Sequence, residues 1–305
     1  MLRKRHFRFV RLTTVALLLP LLASAAAAAA SAGQATTSSS PRASSETPKL
    51  PCDPAADFNA TDFSNPTTID NEWLPLVPGT QLILDGLANR GGGLLPHRVV
   101  FTVTDLTKVI NGVRTVVIWD ADLSAGQLVE TELAFFAQDD EGNVWNLGEY
   151  PEEYEDGEFV GAPSTWIAGL AGAEAGVHML AEPRQGTGYY LQGWAPAIDF
   201  LDCAKVFKTG EGTCVPVNCY ENVLVTDEKS PLEGGGHQRK YHAPGVGIVQ
   251  VGAVGDPEGE TLVLVEIVHL NQGALAQARK EALKLDERAY EVSDVYEKTP
   301  PAERA

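Results

Sequence analysis

From about residue 79 to residue 269 the chain alternates apolar and polar side chains with a period of two, and turn residues interrupt the pattern every 8 to 15 positions. Val99, Phe101 and Val103 alternate with Arg98, Thr102 and Thr104; Val129, Thr131, Leu133, Phe135 and Ala137 alternate with Glu130 and Glu132. Asn111-Gly112, Asp140-Glu141-Gly142-Asn143, Asp156-Gly157 and Gly234-Gly235-Gly236 mark reversals. Further strands are expected at about 143–149, 187–193, 199–207, 219–228, 237–242, 246–253 and 261–269. No helical period separates them, and strands joined by short turns pair antiparallel, which predicts an all-β antiparallel meander. So long a sheet cannot leave an apolar face in water; it must curl into a barrel or a half-barrel.

One helix is expected. Asn271 can cap it, and Leu275, Ala278, Ala282, Leu285 and Ala289 fall on one side of a segment from about 273 to 290. A lone helix favours the half-barrel, with the helix and the Gly- and Ala-rich segment 160–186 laid into its trough. That segment shows no strand period and reads as a long loop over the surface or mouth. Residues 293–305 are polar, contain a proline pair and are expected to fray.

The start of the chain points to export. Arg3, Lys4, Arg5, Arg8 and Arg11 precede an apolar run from Val15 to Leu22 that is too short to span a bilayer, followed by Ala and Ser, the layout of a secretory signal peptide over residues 1–30. Residues 31–50 are rich in Ser, Thr and Pro and read as a disordered linker. The expected order is then a β domain over 51–270 and the helix with its tail over 271–305, with no transmembrane segment in the mature chain. The 305 residues carry a formal charge of −18, which loss of the five leader cations lowers to −23. Such a surface repels nucleic acid and anionic lipid.

Four cysteines in an oxidising compartment imply two disulfides. If Pro216 and Val217 form a two-residue turn, Cys214 faces Cys219 across a hairpin and Cys52 is left for Cys203; Cys203 with Cys214 is the competing pair.

No GxSxG elbow, HExxH, phosphate-binding GxxxxGK[ST] or GxGxxG after a strand is present, so the pattern leans away from an enzyme. Asp120 and Asp122 share one face of a strand and Glu130 and Glu132 one face of the next. A turn at 124–126 would bring Asp120 near Glu130, a set for a metal site, with calcium the cation such oxygens would take; water is the competing relief of their repulsion. Glu149, Glu152, Glu153, Glu155, Asp156 and Glu158 read as an acidic turn. His97 shares the parity of Val99 and suits a hydrogen-bonded position at the end of a core face, while His237 and His242, five apart, point to opposite faces. Phe135, Trp145, Tyr190 and Trp194 are the aromatic candidates for lining a ligand trough.

Three segments carry a resemblance: Ile69-Asp70-Asn71-Glu72-Trp73-Leu74-Pro75-Leu76 with Pro78-Gly79-Thr80, then 140–149, then Tyr241-His242-Ala243-Pro244-Gly245-Val246-Gly247. Together they resemble a family of secreted bacterial proteins without an assigned activity, over about residues 58–270. The last motif is also similar to segments of curved-sheet envelope lipoproteins that bind or shuttle apolar ligands. Glu72 stands where that pattern has proline, and His242 where it has tyrosine. The resemblance implies export and a β-rich body, and offers no catalytic residues. The expected function is that of a secreted or envelope-associated, non-enzymatic protein receiving an apolar small molecule or an envelope component. The alternative is an exported hydrolase using Asp120 and Glu130 with a metal.

Overall fold

The computed structural model describes residues 50–90, 93–233, 237–256 and 258–305; the expected signal peptide and all but the last residue of the linker lie outside them. The strands are β1 (Thr80–Asn89), β2 (Leu94–Ile110), β3 (Val113–Ser124), β4 (Gln127–Gln138), β5 (Val144–Glu155), β6 (Glu158–Gly161), β7 (Trp166–Ile167), β8 (Glu174–Met179), β9 (Tyr190–Ala195), β10 (Phe200–Cys214), β11 (Cys219–Lys229), β12 (His237–Ala243), β13 (Gly247–Val254), β14 (Thr261–His269) and β15 (Glu303–Arg304); α1 spans Gln272–Val292. Hydrogen bonding runs β1-β14-β13-β12-β11-β10-β9-β8-β5-β4-β3-β2 and returns to β1, a closed antiparallel barrel of twelve strands. β6 and β7 pair with β5, and β15 pairs with β2.

The half-barrel expectation is corrected by β1, which pairs with β2 along one edge and β14 along the other, so neither edge is left for a trough. Gly86 makes that closure possible: a Cβ there would fall 1.7 Å from the Thr261 carbonyl oxygen. Segment 160–186 is also corrected, since it contains β7 and β8, with β6 running into its start. Strands of two to six residues are too short for alternation to be legible, and Gly176 lets β8 lie against Leu191 and Gln192 where a Cβ would come within 2.5 Å of backbone.

Two cores result. Leu82, Leu84, Val99, Phe101, Ile118, Phe136, Leu224, Val251, Leu262 and Leu264 belong to the first, which lines the barrel interior. One end of that interior is plugged by residues 69–76. Asn71 Nδ2 donates to the carbonyls of Gly142 and Leu180 at 2.9 and 3.2 Å, and its Oδ1 accepts from the Trp73 and Leu74 amides, which aims Leu74 and Leu76 inward. The Gly245 amide donates to the Glu72 carbonyl at 2.7 Å. The three sequence motifs therefore meet at the plugged end.

The second core lies on the outside of the wall. Alternation along β2 sets Val103 on the inward face and Leu106 and Ile110 on the outward one, where they join the outer core with Val113, Val117, Leu133 and Phe135; the register shift against β3 between Val103 and Thr107 is one of two residues and keeps that parity. α1 covers this face through Ala282, Leu285 and Ala289. Its alanine stripe admits close approach to the sheet, so the helix lies on the outer wall and not in a trough. The tail does not fray: Tyr296 is fully buried and β15 extends β2. Lys108, also fully buried, donates to Asp286 Oδ1 (3.0 Å), Tyr290 Oη (2.9 Å) and the Pro300 carbonyl (2.6 Å), which bolts helix and tail to β2.

The disulfides are Cys52–Cys203 and Cys214–Cys219. Val215 and Asn218 exchange backbone hydrogen bonds around the Pro216-Val217 turn, the geometry expected for the second pair.

Candidate functional site

The barrel lumen is the candidate site, and its lining follows from strand parity. On β3 and β4, Asp120 lies opposite Phe101 and Glu132, and Asp122 opposite Val99 and Glu130, so all four carboxylates share the inward face of the apolar core. The expected pairing of Asp120 with Glu130 is two residues off: the turn is the pair Ala125-Gly126, with Ser124 opposite Gln127, and the register shifts once more between Asp122 and Leu123. Burial pushes the Asp120 carboxyl up to about 6. Among the described residues, no group of three or more His, Cys, Asp or Glu side chains stands in metal-binding geometry.

At the end away from the plug, a charged network crosses the barrel. Arg90 Nη2 meets Asp122 Oδ2 at 2.6 Å, His97 Nδ1 meets Asp122 Oδ1 at 3.2 Å, and His97 Nε2 meets Glu260 Oε1 at 2.8 Å. Gln238 Nε2 donates to Glu260 at 2.5 Å and to Asp256 at 3.1 Å. Gly86 lies between His97 and Leu262 in register, on the strand that separates β2 from β14. Burial alone would lower the His97 pKa, but the Glu260 hydrogen bond and the Asp122 and Glu260 charges outweigh it and raise the value.

A second polar cluster lies on β8–β12. Lys240 Nζ contacts Glu228 Oε2 at 2.5 Å, Thr226 Oγ1 donates to Glu228 Oε1 at 2.9 Å, and His242 Nε2 lies 3.3 Å from Thr226 Oγ1. Burial opposes ionisation of Glu228, but Lys240 prevails and its pKa falls. Burial drives His178 to about 3 and His242 to about 4, so both imidazoles are neutral near pH 7. The Tyr190 phenol is buried with no hydrogen-bond partner among the described residues.

The four aromatic candidates do not gather. Phe135 sits in the outer core with its ring 6.1 Å from that of Tyr296. Trp145 is also external, donating Nε1 to Asp139 and packing on Phe58 and Phe63. Tyr190 lies opposite Ala204, on the face shared with Glu228, and Trp194 is half-buried on β9. The expected acidic turn is mostly strand β5: Glu149 accepts from Asn146 and Trp166, and Glu152 from Tyr150, Tyr154 and Arg288. Arg90, Glu228, Gln238, Lys240 and Glu260 were not legible as lumen residues. The one available signal was β12, whose sequence HQRKYHA gives neither face a run of apolar residues and so cannot line a purely apolar interior.

No protein-family model matches the chain, and no curated protein matches it. Two solved structures are distantly similar. One, from Bacteroides fragilis, is described as an exported protein with a YmcC-like fold and has 14% identity and a TM-score of 0.35. The other, from Parabacteroides distasonis, is described as a lipoprotein and has 13% identity and a TM-score of 0.31. Each alignment covers 65% of this chain and 99% of the other. At those scores the likeness transfers neither detail of fold nor function.

Proposed function

We propose that the chain is an extracytoplasmic binding protein whose barrel lumen receives one amphiphilic small molecule, apolar along its body and polar at one end. Two disulfides support an oxidising compartment. The observation that carries the binding reading is the twelve-strand closure. With strands about 4.8 Å apart and tilted about 40°, a circular ring of that size is about 24 Å across. Eight strands already make an interior that side chains just fill, and four more open space beyond them.

The lining matches such a ligand in zones. Next to the plug, Leu74, Leu76, Leu82, Val99, Phe101, Val103 and Ile248 leave a gap of only about 20 Å³, room for one water at most. The body of a ligand would lie beyond this, against Phe136, Val206, Leu262 and Leu264, with its polar end at the His97 network or the Glu228–Lys240 cluster.

The test is titration of the purified full-length exported protein with N-phenyl-1-naphthylamine, an uncharged apolar fluorophore, alongside native mass spectrometry. Saturable binding of one probe per chain, displaced by a long-chain amphiphile, is expected. Absence of saturable binding, with a mass equal to the bare chain before and after amphiphile addition, would overturn the proposal.

A further inference from the structure

Against 41 acidic residues the chain has 23 basic ones, and many of those described sit in carboxylate pairs, such as Arg98 with Asp85 and Arg279 with Asp105. The outer face of β10, β11 and β12 departs from this pattern. Register sets Lys205 opposite Asp227 and Asp227 opposite Arg239, with Cys203, Lys229 and His237 forming the next row. Lys205, Lys229, His237 and Arg239 thus share the face opposite to that of Val206, Thr226 and Lys240.

Two rings organise these cations. Lys229 Nζ lies 3.7 Å and Lys205 Nζ 4.5 Å from the centre of the Tyr189 ring. The Arg239 guanidinium lies 3.7 Å over Phe207, with Lys208 Nζ at 6.0 Å from the same ring and 3.3 Å from Glu211. The acid beneath them, Asp227, is 3% exposed and is divided between Lys205 at 3.8 Å and His237 at 3.3 Å. Lys229 and Arg239 have no carboxylate partner among the described residues, and Arg239 Nε has no hydrogen-bond partner there. A cation held on a ring face keeps its charge while its side chain is already ordered, so a ligand meets it at a reduced entropy cost.

We propose that this face binds a flexible polymer of phosphate groups. Strand spacing puts Lys205 and Arg239, two strands apart, at about 10 Å, with Lys229 on the strand between them. That spread suits several anionic groups on one chain better than a single small anion. A tetrahedral phosphate offers oxygens to a lysine and an arginine from different strands at once, whereas a planar carboxylate is satisfied by one guanidinium fork. The acidic remainder of the protein does not forbid this, because charges beyond about 8 Å are largely screened at physiological salt.

The proposal is independent of the lumen and is tested on the full chain with inorganic polyphosphate, measuring affinity from 50 to 200 mM salt. Three phosphate contacts predict a weakening of roughly 20- to 40-fold over that range. Lys229→Glu with Arg239→Glu should lose at least about tenfold in affinity and flatten the salt dependence. Lys280→Glu with Lys284→Glu, the same charge change on the exposed side of α1, should leave both unchanged, with near-ultraviolet circular dichroism confirming that each variant is folded. Equal binding by the two double variants would overturn the proposal, as would equal or tighter binding of polyglutamate or of phosphatidylglycerol vesicles.

Discussion

Replacing Lys108 by Met removes a buried cation that touches barrel, helix and tail at once. The side chain is fully buried and its three ammonium protons go to Asp286, Tyr290 and the Pro300 carbonyl. Methionine fills nearly the same volume, so the loss is electrostatic and not a cavity. Breaking a buried pair by removing one partner costs about 3–5 kcal/mol, since the other charge stays buried. Asp286 retains the Tyr296 hydroxyl at 2.6 Å and the Ala302 amide at 3.2 Å, which places the pair's share at the lower end, about 3 kcal/mol. The orphaned Pro300 carbonyl adds about 1 kcal/mol. The total of about 4 kcal/mol should lower Tm by roughly 8–16 °C in a body of this size. Urea unfolding followed by tryptophan fluorescence and circular dichroism measures it, with Lys108→Met/Asp286→Leu as the companion that removes both charges and should recover part of the loss. A cost under about 1 kcal/mol for Lys108→Met would refute the assignment of this contact as the bolt.

Three further outcomes follow from the same structure. The folded-state pKa of His97 is raised, so its pairing with Asp122 and Glu260 contributes stability that is fully present below the unfolded value of about 6.5 and lost as pH rises through the higher folded value. The Tm difference between the native chain and His97→Gln should therefore shrink from pH 6 to pH 9, and a constant difference would exclude a charged His97. Deleting residues 271–305 uncovers Leu106, Ile110, Val113, Leu133 and Phe135, so the truncated chain should aggregate on expression; a soluble, monomeric product in size-exclusion chromatography would contradict the outer core. Loss of Cys52–Cys203 should cost about 5 kcal/mol and loss of Cys214–Cys219 about 2, because the closed loops differ, 151 against 5 positions; comparing denaturation midpoints of the paired serine variants checks the order.

The amino-acid order by itself determined the class of fold, because a side-chain period of two is a local property: β11, β12, β13 and β14 lie close to where alternation and turns put them, β10 starts where expected and runs seven residues further, to Cys214, and the helix expected at 273–290 spans Gln272–Val292. Pro216 and Val217 likewise announced the Cys214–Cys219 hairpin through local turn chemistry. Closure was not legible, since it depends on β1 meeting β14 some 180 residues later across a glycine whose backbone contact has no local signature. The side of the wall on which α1 lies was not legible either: alternation along β2 sets Leu106 and Lys108 on the face opposite Val99, Phe101 and Val103, but which of the two faces is interior depends on closure. The lumen network joins Arg90, His97, Asp122, Gln238 and Glu260, groups far apart in sequence whose parity marks them as inward only once closure defines an inside. Local periodicity thus decided which segments are strands, while which face is interior, and what chemistry it holds, came from long-range pairing that a window of neighbouring residues does not contain.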